Sequence, residues 1–231
     1  RLQYPTMKRK LFYILSICFI MSACDGKAAP TSQETNIIAD TQEKQVEYAG
    51  EPIKERPRVA TEVKDVTRIH KKAAEAKKFV KQKGMNTDWC ILIDFSYNLY
   101  TKRMFIYDLK NDKILETALV SHGAGGGSDI DNVFFSNVEG SGCSSLGKYR
   151  IGIRSYSNWG VHFHYKMHGL ESTNSNAYKR LIVLHSYEYA YCDNPTTASL
   201  GCPVVCDDMM NYIDKKIKAS DNKKILLWIF D

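Results

Sequence analysis

From Cys90 onward the chain switches to short runs of β-branched and aromatic residues separated by turn-forming stretches. "CILIDF" (90–95), "RMFIYDL" (103–109) and "ILETALVSH" (114–122) are joined by "SYNLYTK" and "KNDK", and read as strands linked by turns. Further strand-like runs follow at "GKYRIGI" (147–153), "VHFHYKM" (161–167), "RLIVLHS" (180–186) and "KKILLWIF" (223–230). This pattern points to one mainly β domain, and its length leaves room for a core. Two helices are expected beside it. In "RVATEVKDVTRIHKKAAEAKKFVKQKG" the residues Val59, Val63, Val66, Ala73 and Val80 recur mainly at three- and four-residue steps, and Gly84 closes the run. The spacing predicts an amphipathic helix over 58–83 with a lysine-rich outer face. A second helix is expected over 203–218, where Val205, Met209, Ile213 and Ile217 lie four apart. No internal repeat is present.

The first 57 residues have a different character. "RLQYPT" precedes a Met and is set aside as read-through or a cloning scar. From Met7, three basic residues lead into an apolar run from Leu11 to Met21, too short to span a membrane and typical of a secretory signal. Ser22-Ala23-Cys24 has the small-small-Cys ending of a bacterial lipobox, with Met21 where Leu is usual, so Cys24 is the expected lipidation site. The organisation expected is a leader over 1–24, a tether over 25–57 and a folded domain over 58–231. As a flexible coil the tether would average roughly 30 Å end to end. The protein is thus expected to be an exported, periplasmic cell-envelope lipoprotein held at a membrane by its N-terminal lipid.

Charge depends on that processing. The whole chain carries 32 basic and 26 acidic residues, a net of +6. Four of the basic residues and none of the acidic ones lie in 1–23, so the remainder has 28 against 26, a net of +2. No basic run there is interleaved with aromatics, which argues against a nucleic-acid partner. Five cysteines follow Cys24, at 90, 143, 192, 202 and 206. In an exported protein disulfides are permitted, and an odd count leaves at least one free thiol.

Two site readings fail on pattern. "HGAGGGSD" (122–129) lacks the Lys-Ser/Thr ending of a phosphate loop and no helix follows, so it reads as a mobile loop beside a site. Cys192, Cys202, Cys206 and His185 lack the close ligand pairs of a zinc site. The third reading is catalytic. His185 ends an apolar β-run that should deliver its imidazole to a sheet edge, and Ser199-Leu200-Gly201-Cys202 follows, with Cys202 17 residues after the histidine. Cys202 stands just before the expected second helix, whose N-terminus should lower a thiol pKa, as would a nearby imidazolium. Gly201 permits a tight turn whose N–H groups could bind an oxyanion. Thiol, base and oxyanion hole are the parts acyl transfer needs.

These residues resemble the YkuD-type L,D-transpeptidases, whose motif is His-(Gly/Ser), a gap, then Ser-x-Gly-Cys. "HS" stands at 185–186 and "SLGC" at 199–202. The likeness is closer to the murein L,D-transpeptidase catalytic domain branch. It extends over "DFSYNLYTKRMFIYDLKNDKILETALVSHG" (94–123), "FSNVEGSGCSSLGKY" (135–149), "GLESTNSNAYKRLIVLHS" (169–186) and "SLGCPVV" (199–205). Together with the β-runs, the resemblance implies a mainly β, sandwich-like domain, with Cys202 as nucleophile, His185 as base, and the Ser186 carbonyl as the group that orients the imidazole. It also implies an oxyanion hole or substrate contacts around Ser199, Leu200 and Gly201, with Arg180 among the substrate-binding residues. The implied substrate is a peptidoglycan tetrapeptide stem that loses D-Ala and passes to an amine, giving a 3→3 cross-link, or to water. A non-catalytic wall-binding lipoprotein is the reading from another class. No cofactor or metal is implied, and carbapenem-type inhibitors are implied to acylate the thiol. Leu200 stands where many relatives have His or Trp, and Thr197-Ala198 where the branch often has Gly-Arg. Cys206 reads as a small core residue on the inner side of the second helix. The four cysteines other than Cys202 allow three full pairings, and sequence does not choose among them.

Overall fold

The computed structural model describes residues 59–196, 199–220 and 224–231. The leader, Cys24 and the tether lie outside the described residues, as does the start of the expected first helix at Arg58. Eight strands form one sheet: β1 (Trp89–Asp94), β2 (Met104–Asp108), β3 (Lys113–Ala118), β4 (Gly147–Tyr156), β5 (Phe163–Gly169), β6 (Val183–Ser186), β7 (Val204–Val205) and β8 (Leu226–Phe230). Their order is β3-β2-β1-β8-β4-β5-β6-β7, with β1–β8 and β6–β7 parallel and the other pairs antiparallel.

The mainly β architecture expected from the sequence is therefore present, as a single sheet with a barrel-like curl. Just past β3, the Ser121 N–H donates to the Val204 carbonyl on β7 at 2.9 Å, joining the two ends of the sheet. One core fills the inside of the curl, with Ile91, Ile106, Tyr149, Met167, Leu184 and Ile229 from the sheet and Met210 and Ile213 from a helix. A second core lies on the outer face of β1, β2 and β8, where Cys90, Leu92, Phe105 and Leu226 meet the first helix. Central strand β1 is buried along its whole length, so Trp89 to Ile93 read as an unbroken apolar run rather than an alternation.

Both helices start later than the sequence suggests. α1 spans Thr67–Gln82 and buries Ile69, Ala73, Ala76 and Val80 at steps of four, three and four residues. The segment before it is extended. Thr61 bridges Thr101, with the Thr61 N–H on the Tyr100 carbonyl at 2.9 Å and the Lys102 N–H on the Thr61 carbonyl at 2.8 Å. Val59, assigned to the buried helical face by periodicity, is 82% exposed. The helix starts at Thr67 with Val66 as its N-cap residue, and Asp65 Oδ1 accepts the Thr67 N–H at 2.9 Å just ahead of it.

α2 spans Asp207–Lys218 rather than 203–218, with Cys206 as its N-cap residue. Pro203 and the pairing of Val204-Val205 with His185-Ser186 hold the preceding residues extended. Asp207 and Asp208 in the first turn and Lys215, Lys216 and Lys218 in the last complement the helix dipole.

Candidate active site

The β6–β7 pairing builds the site. His185 lies opposite Val204 and Ser186 opposite Val205, so Cys202, two residues before Val204, comes alongside Val183, two before His185. The Val183 N–H points at the Cys202 Sγ at 3.4 Å, and the Leu181 carbonyl lies 3.9 Å from the same sulfur. The sheet register thus sets Cys202 level with Val183, two residues from His185 on the neighbouring strand, without a helix.

His185 is 3% exposed and its Nδ1 lies 2.9 Å from the Ser186 carbonyl. A carbonyl only accepts, so Nδ1 carries the proton and Nε2 keeps its lone pair. Burial is the main cause that pushes the His185 pKa down to about 4, only partly opposed by the Ser186 hydrogen bond. The imidazole is neutral at pH 7 and free to take a proton on Nε2. Ser186 is itself fixed: its Oγ accepts the Val161 N–H at 3.0 Å.

The thiol differs from the sequence expectation. Cys202 precedes β7, not a helix, because α2 begins only at Asp207. No helix N-terminus lies behind it, and burial pushes its pKa up to about 11, against opposing pulls from the Val183 N–H and the Arg180 charge. The resting pair is a neutral thiol beside a neutral imidazole.

Three glycine-bearing loops pack under the thiol. Gly201 has φ +115°, and a Cβ there would come 2.5 Å from the Cys143 carbonyl oxygen and 2.9 Å from Ile182 Cδ1. Only glycine fits, on backbone conformation and on space alike. Gly123 approaches Gly201 from the other side: a Cβ at 123 would lie 2.8 Å from the Gly201 Cα. The Ala124 N–H donates to the Ser199 carbonyl at 2.7 Å, the Gly125 N–H to the Gly142 carbonyl at 3.0 Å, and the Gly123 N–H to Ser144 Oγ at 3.0 Å. The "HGAGGGSD" segment, expected as a mobile loop, is hydrogen-bonded into this junction.

Ser199 and Arg180 support the turn from within. The Gly201 N–H donates to Ser199 Oγ at 3.1 Å, and the Ser199 hydroxyl donates to the Cys202 carbonyl at 2.6 Å. The Gly201 N–H is thereby held inside the turn. The half-buried Arg180 is likewise spent on protein groups: Nη1 on the Ser136 carbonyl at 2.8 Å and Ser145 Oγ at 2.6 Å, Nη2 on the Cys143 carbonyl at 2.6 Å. Arg180 braces the loop under the thiol and lends it positive charge. Leu200 is 43% exposed at the mouth of the site. Thr197 and Ala198 lie outside the described residues.

Cys206 is not a simple core residue. It forms a disulfide with Cys192, with 5.2 Å between the Cα atoms, which ties the loop between His185 and Cys202 to the start of α2. Cys90, Cys143 and Cys202 are free thiols. The disulfide also removes two of the sulfurs considered for a zinc site.

The sequence reading missed a second buried polar group. Arg103 is fully buried and donates to the Val120 carbonyl (Nε, 3.1 Å; Nη2, 2.9 Å) and the Tyr97 carbonyl (Nη1, 2.8 Å). Its Nη2 also lies 2.7 Å from His122 Nδ1, which therefore accepts. Burial first, then the Arg103 charge, push the His122 pKa down to about 4. His122 immediately precedes Gly123, so this pair anchors one of the three loops. The signal available in the sequence was the histidine opening that glycine run.

The YkuD_2 family, described as the L,D-transpeptidase catalytic domain, matches residues 61–228. No curated protein matches the chain. Among solved structures, an L,D-transpeptidase from Xylanimonas cellulosilytica is 11% identical with a TM-score of 0.37, covering 66% of this chain and 68% of that one. Bd1075 from Bdellovibrio bacteriovorus is 17% identical, TM-score 0.39, over 64% of this chain and 49% of its own. The helical cell shape determining protein Pgp2 from Campylobacter jejuni is 15% identical, TM-score 0.39, over 70% of this chain and 56% of its own. The assignment rests on the family match, which spans most of the chain and contains the His185 and Cys202 motifs: the chain belongs to the L,D-transpeptidase catalytic domain family.

Proposed function

We propose that the chain is a cysteine-dependent L,D-transpeptidase acting on peptidoglycan stem peptides. The observation that carries this reading is the β6–β7 register. It sets the Cys202 thiol alongside the strand that ends in a neutral, tautomer-fixed His185. In the proposed reaction the Cys202 sulfur attacks the carbonyl carbon of the third stem residue while His185 Nε2 takes the thiol proton. The oxyanion formed is met by backbone N–H groups of the 200–202 turn, with Leu200 and Cys202 the candidates because Gly201 donates to Ser199. The C–N bond breaks, the imidazolium returns its proton to the departing D-Ala amine, and a thioester remains. An acceptor amine then loses a proton to His185, attacks the thioester and expels the sulfur, which is reprotonated. The product is a 3→3 cross-link.

Burial makes a free thiolate expensive here, so proton transfer is timed to substrate attack instead of being completed beforehand. We further propose that Cys24 carries a lipid that holds the domain on the periplasmic face of a membrane, a substitution Cys24→Ala then releasing it.

Incubating the chain with disaccharide-tetrapeptides and weighing the products tests the reading. Dimers lighter by one D-Ala are expected. Tripeptides alone would assign hydrolysis, with water as acceptor, and unchanged substrate would reduce the site to a binding module.

A further inference from the structure

Charge is divided unevenly over the folded part of the chain. Residues 64–83, which contain α1, hold eight basic residues and two acidic ones, a net of +6. The rest of 59–231 holds 15 basic and 17 acidic residues, a net of −2. The positive excess of the domain therefore sits on one helix and its flanks. A surface charged only for solubility mixes both signs; this one is polarised.

Within α1 the cations fall into two groups. Arg68 and Lys72 are committed to the fold: Arg68 Nε lies 2.9 Å from Asp94 Oδ2, and Lys72 Nζ lies 4.6 Å from the centre of the Trp228 ring and 3.2 Å from Glu75. Glu75 is the one acidic residue of the helix, so Lys72 already holds it. Lys71, Lys77, Lys78 and Lys81 are exposed, and among the described residues no carboxylate pairs with them. At 3.6 residues per turn these four fall within an arc of about 120° and span about 15 Å along the axis. The arc is turned away from Ile69, Ala73, Ala76 and Val80, which face the sheet. Lys81 stands four residues after Lys77 and three after Lys78, spacings at which like charges repel. An anionic partner relieves that repulsion.

We propose that the lysine face of α1, made of Lys71, Lys77, Lys78 and Lys81, docks the domain on an anionic lipid surface. The occupant follows from charge complementarity and from the chain ahead of the helix. Residues 25–66 separate Cys24, the proposed lipid site, from the start of α1. A coil of that length would average roughly 30–40 Å end to end, so a lipid on Cys24 keeps α1 close to the headgroups. A lipid and a polybasic patch act together as membrane signals, and each lysine brought to an anionic leaflet strengthens partition about five-fold. The contact is electrostatic, because the apolar face of α1 is used on the sheet. It also orients the molecule. α1 covers the outer face of β1, β2 and β8, whereas Cys202 belongs to the inner core. A domain resting on α1 thus keeps those strands between the bilayer and the core that holds the thiol. The inference rests on the anchoring reading for its occupant.

The full chain carrying Cys24→Ala has no lipid, so its co-sedimentation with vesicles reads the α1 face alone. The vesicles are phosphatidylcholine, with or without about one third phosphatidylglycerol, at low salt. Partition onto the anionic vesicles is expected to exceed that onto the neutral ones on the order of 10²–10³-fold, from four lysines at about five-fold each. In ~1 M salt, where the Debye length is about 3 Å, the preference should vanish. Replacing Lys71, Lys77, Lys78 and Lys81 by Gln should remove it at low salt, while Lys179→Gln with Lys215→Gln, exposed and outside α1, should leave it within about a few-fold. Equal partition onto both vesicle types, or a preference that survives the four α1 substitutions, would overturn the proposal. So would a preference that appears only after the seven acidic residues of 25–57 are replaced by their amides, which would make that segment the partner of α1. Failure of the anchoring reading appears separately, as a native chain made in cells whose Cys24 carries no lipid by mass.

Discussion

Two buried thiols lie in the two separate cores of this domain and have opposite surroundings. Cys90 lies beneath α1 among Leu92, Phe105 and Leu226, and burial alone pushes its thiol far up. Cys202 is almost as buried, yet it meets the Val183 N–H at 3.4 Å and feels the Arg180 charge, both of which favour its ionised form. Burial is therefore common to both, and what separates a filler thiol from a reactive one is the polar construction around it. The Cys90 region is layered apolar side chains. The Cys202 region is backbone: three loops packed so closely that Gly201 and Gly123 have no room for a Cβ.

The comparison is broken most decisively by exchanging the sulfurs. Cys202→Ser should abolish all turnover and all acylation, whereas Cys90→Ser should leave both at native rate per folded molecule, as read by product mass and intact-protein mass. Next in size is the base. His185→Ala should lower turnover on the order of 10²–10⁴-fold, read as kcat on tetrapeptide, while the thiol still takes a small alkylating reagent.

Acidity tests the polar end alone. His185 and His122 both have folded pKa values near 4 against an ordinary 6.5. The unfolded chain binds protons at these sites first, so the stability they provide is fully present above pH 6.5 and is lost as pH falls towards 4. Each contributes about 3 kcal/mol at most. Thermal melting should therefore drop between pH 6.5 and 4, and His122→Gln should flatten part of that slope. A smaller effect is expected at the loop junction. Gly201→Ala combines a left-handed backbone with a steric overlap and should cost roughly 1–3 kcal/mol in denaturant unfolding, with turnover reduced further as the turn shifts.

Least of all should Cys206→Ser affect acylation, since Cys206 is bonded to Cys192 and takes no part in the proposed chemistry. Its expected mark is a lower melting temperature without loss of labelling.

The sequence revealed whatever depended on local periodicity or on a short motif. Apart from β7, which periodicity assigned to the second helix, the strands from Trp89 to Phe230 announce themselves as apolar runs between turns, and α2 by Met209 and Ile213 at a four-residue step. Val59 and Val63 kept a helix-like spacing in a segment that the Thr61–Thr101 bridge holds extended, because periodicity does not report which face finds a core. The late start of α2 follows from β7 pairing with β6, a contact between distant segments. That pairing also cost the thiol the helix terminus expected behind it. The Cys192–Cys206 bond was one of several pairings that composition permits and only the fold selects. The motif named His185 and Cys202, but not how Ser199 consumes the Gly201 N–H, nor Arg103 and His122 behind the neighbouring loop. Those roles are set by approach distances, which no spacing in the chain records.

The central claim is that reactivity belongs to Cys202 among the three free thiols of the described residues, and one mass measurement tests it directly. The chain is incubated with a carbapenem, digested, and the modified cysteine identified. The account predicts one adduct per chain, on the peptide containing Cys202, absent in Cys202→Ser and retained in Cys206→Ser. An adduct on the peptide containing Cys143 or Cys90, or labelling that survives Cys202→Ser, would contradict it.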